Sequence, residues 1–145
     1  MATSKILLVE DNQDDVELTQ YAFRASQVNN ELDVVRDGEE ALEYLFGVGR
    51  HTGRRSCERP ALVLLDLKLP GIGGLDVLRS MRARPETRRI PVVILTTSDD
   101  QSDVVNGYDL GVNSYIRKPV AFHDFSSLVE QLGLYWLVTN TAPPA

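Results

Sequence analysis

At 145 residues the chain fits one domain with a core of its own, and 43% hydrophobic with 25% charged residues is an ordinary globular balance. A net charge of -6 excludes non-specific attraction to nucleic acid or an anionic membrane, and it suits a site that gathers carboxylates around a divalent cation. Cys57 is the single cysteine, so no internal disulfide forms and a reducing cytoplasm is the expected home; with His51 and His123 it makes too few soft ligands for zinc.

Short apolar runs alternate with helical patterns along the chain. Met1 to Glu10 lacks a signal-peptide layout, its apolar stretch being Ile6 to Val9, which reads as a first strand. Asn12 is a helix cap with Asp14 and Asp15 in the first turn, and Leu18, Tyr21, Ala22, Ala25 and Val28 form the stripe of the helix it opens. Leu32 to Val35 is a mixed, edge-type strand, followed by a helix on Ala41, Leu42, Leu45 and Phe46. Gly47 to Arg59 is a long polar loop, expected to move. Ala61 to Leu65 is a buried strand, and Asp66 and Lys68 break any longer run that could span a membrane. Leu75, Leu78 and Met81 mark a third helix ending before Pro85. Val92 to Leu95 is a fourth strand, Val104, Val105, Tyr108 and Leu110 a fourth helix, and Ser114 to Ile116 a fifth strand. A last helix runs from about Phe122 toward Asn140.

Five strand–helix units predict an α/β, flavodoxin-like (βα)5 doubly wound parallel sheet of order 2-1-3-4-5, in a single domain over 1–145 with its core at about 4–138 and a frayed tail at 139–145. Ligands in such sheets bind beyond the C-terminal strand ends, where the order reverses. There the sequence places Glu10 and Asp11 after the first strand, Asp66 after the third, Thr96 on the fourth and Lys118 after the fifth. Singly, each has a plainer role as a turn former, a helix cap or a surface charge. Jointly, they form a phosphoryl-transfer site. Converging carboxylates repel unless a cation neutralises them, and Mg2+ suits carboxylates, waters and phosphate oxygens. Asp66 can then attack phosphorus to give an acyl phosphate, with Lys118 and Thr96 receiving the charge.

The stretches Ile6-Leu7-Leu8-Val9-Glu10-Asp11-Asn12, Leu64-Leu65-Asp66-Leu67-Lys68-Leu69-Pro70 with Gly74, Ile94-Leu95-Thr96 and Tyr115-Ile116-Arg117-Lys118-Pro119 resemble the receiver domains of bacterial two-component response regulators. The resemblance implies Asp66 as phosphoacceptor for a sensor histidine kinase, with Mg2+ held by Glu10, Asp11, Asp66 and the backbone carbonyl of Lys68. It implies Thr96 and Lys118 as phosphoryl-binding residues, a cis Lys118–Pro119 peptide, and Tyr115 as a switch residue that turns inward with Thr96. Helix four, strand five and helix five would carry the switched protein-contact surface. Lys68 and Ser98, two residues beyond Asp66 and Thr96, would modulate phosphoryl lifetime.

Nothing after Pro144 is expected to form an output module, so the signal would leave by contact with an unidentified downstream protein. Phe122, Phe125, Val129, Leu132 and Trp136 share a core-facing stripe, which leaves Leu128, Leu134, Tyr135, Leu137 and Val138 for a homodimer surface. Leu132-Gly133-Leu134-Tyr135-Trp136 and the Gly47–Arg59 loop also resemble the small regulators that pair with bacterial phytochromes, which suggests such a kinase as partner. Three rivals are weaker. A haloacid dehalogenase-type phosphatase carries its nucleophile after the first strand with a second Asp two residues on, where this chain has Lys68. A pseudo-receiver would lack part of the acidic, hydroxyl and ammonium set, and a dinucleotide site would open its first helix with a glycine fingerprint.

Overall fold

The computed structural model describes residues 4–26, 30–53, 59–118 and 122–144. Five strands, β1 (Ser4–Val9), β2 (Asn30–Val35), β3 (Leu62–Leu65), β4 (Val92–Thr96) and β5 (Ser114–Arg117), form one parallel sheet of order β2-β1-β3-β4-β5. β3 and β4 are buried at every residue, because helices cover both faces. Helices α1 (Gln13–Ala25) and α5 (Phe122–Gly133) pack Val16, Phe23, Phe125 and Val129 against Ile6, Leu64 and Val93 on one face. Helices α2 (Gly38–Phe46) and α3 (Gly74–Ala83) pack Ala41, Leu45, Val77, Leu78 and Met81 against Leu7, Val63 and Ile94 on the other. Each such aliphatic side chain contributes about 1.5–3 kcal/mol by leaving water.

Helix α4 (Gln101–Asp109) is held differently. Gly107 is its one buried residue, while Val105 and Tyr108 of the expected stripe are about half exposed, at 51% and 53%. A Cβ on Gly107 would stand 3.0 Å from Ile94 Cδ1, so the helix rides close over β4 at that one point. Its C-terminal end is fastened by Arg82 of α3, whose guanidinium donates to the carbonyls of Leu110 (2.9 Å), Gly111 (3.0 Å), Arg88 and Ile90.

Several local expectations change. The buried face of α1 is Val16, Thr19, Ala22 and Phe23, with Tyr21 and Ala25 exposed; Leu18 is half-buried at its margin. Leu18–Tyr21–Ala25 and Val16–Thr19–Phe23 are rival apolar arcs, and Phe23 has the larger side chain to hide. Val28 lies outside the described residues. In the polar loop, Gly47 closes α2 in the left-handed conformation (φ 66°) and Gly49–His51 forms a 3-10 turn. Arg50 pairs with Glu43 and His51 with Glu40 (3.1 Å), which ties this half of the loop to α2. Residues 54–58, with Cys57, lie outside the described residues.

After Gly133, α5 widens into a π-helical turn, Leu134–Thr139, closed by Asn140 N–H donating to Tyr135 carbonyl at 2.6 Å. The wider turn alters which residues face the sheet. Leu132 and Trp136 pack there as expected, but so does Leu137, five residues after Leu132, where α-helical spacing had placed it outward. Leu134, Tyr135 and Val138 remain exposed at 50–61%, and Leu128 is half-buried. The Phe122 side chain lies outside the described residues.

Candidate metal and phosphoryl site

β1 and β3 are neighbours in the sheet, so the residues leaving their C-terminal ends emerge side by side. Asp66 N–H donates to the Val9 carbonyl at 3.1 Å and Glu10 N–H to the Val35 carbonyl at 3.0 Å, which fixes both backbones to the rim. Glu10 (2% exposed) and Asp66 (7%) are buried, and Asp11 is exposed beside them. Oxygens of Glu10, Asp11 and Asp66 lie within 4.8 Å of one another. Gly73 and Gly74 begin α3 directly against this backbone: a Cβ on Gly74 would stand 2.7 Å from Leu67 Cα and closer still to the Asp66 carbonyl. Gly74 N–H donates to the Leu67 carbonyl at 3.0 Å, and Lys68 N–H turns back to Asp66 Oδ1 at 3.2 Å.

Lys118 arrives from β5, its N–H on the Thr96 carbonyl at 2.7 Å and its ammonium reaching across the rim. Nζ donates to Glu10 Oε1 at 2.7 Å and to Asp15 Oδ2 at 2.8 Å, and stands 3.6 Å from Asp66 Oδ2. Burial pushes the Glu10 carboxyl up to about 7; the Lys118 hydrogen bond opposes this and the Asp66 charge adds to it. Burial pulls the Lys118 ammonium down, yet its hydrogen bonds to Asp15 and Glu10 and the charge of Asp66 prevail and leave it raised. Crowded acids beside a single ammonium, one of them driven toward neutrality, are the donor set a hard divalent cation fits. Glu10, Asp11 and Asp66 would hold it.

Thr96 is wholly buried at the end of β4, and its Oγ1 accepts from Ser98 N–H at 3.4 Å. Ser98 in turn donates its hydroxyl to Asp103 Oδ2 at 2.6 Å and accepts from Asp100 N–H at 3.3 Å. Tyr115, partly buried, donates its hydroxyl to the Ser98 carbonyl at 3.0 Å, and burial raises its pKa. The β4–α4 loop therefore ties Thr96, Tyr115 and the first turn of α4 through one residue. Ser98, expected as a lifetime modulator, directs its hydroxyl to Asp103 of α4. Lys68 is exposed at the rim. Pro119 lies outside the described residues, and with it the expected cis peptide. From sequence, Asp15 is a helix-terminus charge alone; its bond to Lys118 spans 103 positions, and no local pattern signals it.

A family model for the response regulator receiver domain matches residues 6–130. The chain belongs to that family. Receivers of this family are phosphoacceptors, their partner is a histidine kinase, and a divalent metal binds in their acidic pocket. Response regulator Rcp1 of Synechocystis sp. is 40% identical over 140 residues, covering 97% of this chain and 93% of Rcp1. The solved structure of the Mn2+-bound form of Rcp1 aligns with a TM-score of 0.88 at 39% identity, over 97% of this chain and 99% of that one. The phosphorylated cyanobacterial phytochrome response regulator RcpA aligns with a TM-score of 0.90 at 42% identity, over 99% and 100%. The bacteriophytochrome response regulator RtBRR is 48% identical with a TM-score of 0.78, over 99% of this chain and 86% of its own.

Proposed function

We propose that Asp66 is the phosphoacceptor of a stand-alone response regulator serving a phytochrome-type histidine kinase in the cytoplasm. The observation that carries this is the placement of Lys118 Nζ 3.6 Å from Asp66 inside a cluster of three carboxylates. An oxygen of Asp66 attacks the phosphorus of the kinase's phosphohistidine; the new O–P bond forms as the P–N bond breaks, and the imidazole nitrogen keeps the electron pair. Glu10, Asp11, Asp66 and the Lys68 carbonyl would hold Mg2+, which would supply charge neutralisation at the phosphoryl oxygens. Lys118 and Thr96 hydrogen-bond those oxygens, and the buried strand ends exclude bulk water.

Tyr115 and Ser98 pass the state of Thr96 to α4, and the α4–β5–α5 surface contacts a downstream protein. Lys68 and Ser98 set how long the phosphoryl group survives hydrolysis, which the protein itself assists. The chain forms one domain over 1–145, with 139–145 as its tail, and pairs into a homodimer through Leu134, Tyr135 and Val138, with Leu128 at the margin. The similarity of nearly the whole chain to phytochrome response regulators supports the kinase class and the single-domain reading.

The test is intact mass after incubation of wild type and Asp66→Asn with Mg2+ and a small phosphodonor. A phosphoryl adduct in wild type alone is expected; an adduct in both proteins, or in neither, would falsify the assignment. Light scattering with and without beryllofluoride reads the homodimer, and a monomer under both conditions removes it.

A further inference from the structure

Four carboxylates and one ammonium meet at the rim, but the carboxylates divide into two sets. Glu10, Asp11 and Asp66 gather as a candidate metal cluster, whereas Asp15 faces Lys118. Asp15 is aimed there by its backbone. It occupies the first turn of α1, where its N–H donates to Asn12 Oδ1 at 3.0 Å and its carbonyl accepts from Thr19 Oγ1 at 2.7 Å. An ammonium has three donors; two of those on Lys118 go to Glu10 and Asp15, at 2.7 and 2.8 Å, and Asp66 stands beyond both at 3.6 Å. Lys118 is 10% exposed and Asp15 36%, so the pair is half-buried.

We propose that Asp15 is a positioning residue that holds Lys118 in a resting pose, hydrogen-bonded to Asp15 and Glu10 with Asp66 at the longer distance of 3.6 Å, from which the ammonium must turn to bind a phosphoryl group. The inference rests on the phosphoacceptor reading above and deepens it. A phosphoryl group on Asp66 presents anionic oxygens that compete with Asp15 for the same ammonium. Strong pairing with Asp15 therefore favours the unphosphorylated state, and weakening it favours the phosphorylated one. A plain role for Asp15 as a charge at the N-terminus of α1 would stabilise the helix and would not involve Lys118.

Asp15→Asn keeps the size of the side chain and removes its charge, and Asp15→Ser serves if the first variant fails to fold. Beryllofluoride affinity is measured by calorimetry at saturating Mg2+ in four proteins: wild type, Asp15→Asn, Lys118→Ala and the double variant. Asp15→Asn is expected to bind about tenfold tighter than wild type, the change a solvent-screened, charge-assisted hydrogen bond supports. The double variant is expected to match Lys118→Ala. Unchanged affinity in Asp15→Asn, or the same gain with and without Lys118, overturns the positioning role. Wild type that fails to bind beryllofluoride overturns the phosphoacceptor reading and this inference together, so the two failures are distinct.

Discussion

Helices α3 and α4 lie on the same side of the sheet and touch one another, yet they are bound to it in opposite ways. α3 buries Gly74, Val77, Leu78 and Met81 and begins in contact with the Asp66 backbone. α4 buries Gly107 alone, and its first turn is joined to the sheet through the polar links of Ser98. Asp66 thus sits on a packed, inflexible support, and the element beside it rests on hydrogen bonds that exchange at small cost. A phosphorylation switch needs both: chemistry requires fixed geometry, and readout requires a neighbour whose alternative pose differs by a few kcal/mol.

The contrast can be broken by substitution. Leu78→Ala in α3 is expected to cost about 2–5 kcal/mol, read as a lower urea midpoint, because it leaves a cavity under a fully buried side chain. Gly74→Ala is expected to destabilise by about 1–3 kcal/mol through overpacking against the Asp66–Leu67 backbone and also to weaken Mg2+ binding. Loss of stability with metal affinity intact would separate α3 from the site. Tyr115→Phe removes the bond to the Ser98 carbonyl and should cost about 1 kcal/mol, while shifting the α4 amide resonances in NMR spectra more than those of α3. Val105→Ser, on the exposed side of α4, should stay within about 0.5 kcal/mol of wild type.

A pH dependence sharpens the same contrast. Glu10 is raised from 4.5 to about 7 in the folded protein, so the fold favours its protonated form. Its contribution to stability is therefore present below about 4.5 and lost as pH rises through about 7. Lys118, raised above its ordinary value, stays charged throughout this window. Without divalent cation, urea midpoints should fall between pH 5 and pH 8 in wild type, and the fall should shrink in Glu10→Gln. Equal slopes would remove Glu10 as its source.

The sheet and the rim were legible because both depend on strands. Val63, Leu64 and Leu65, buried on both faces, read as a strand from composition alone, and strand order then placed Glu10, Asp66, Thr96 and Lys118 on one edge. What escaped were properties of helical phase and long side-chain reach. α1 carries two apolar arcs, and which one turns inward depends on the space left for Phe23. Leu137 reaches the core through a π-helical turn that no residue in Leu134–Thr139 announces. Asp15 takes its partner, Lys118, from a strand end 103 positions away, whose approach is set by the finished fold.

Arg82 gives α4 a mechanical character. Its guanidinium grips the carbonyls of Leu110 and Gly111 just past one end of the helix, while Ser98 and Asp103 meet at the other. A rod of nine residues, about 13 Å long, fastened at one end and pushed at the other, tilts as a lever about a fulcrum. A displacement of about 1 Å at the Asp103 end corresponds to a tilt of roughly four degrees over that length. Val105, nearer the pushed end, would swing farther than Tyr108, so one small stroke at Thr96 would grade the exposed face of α4 along its length.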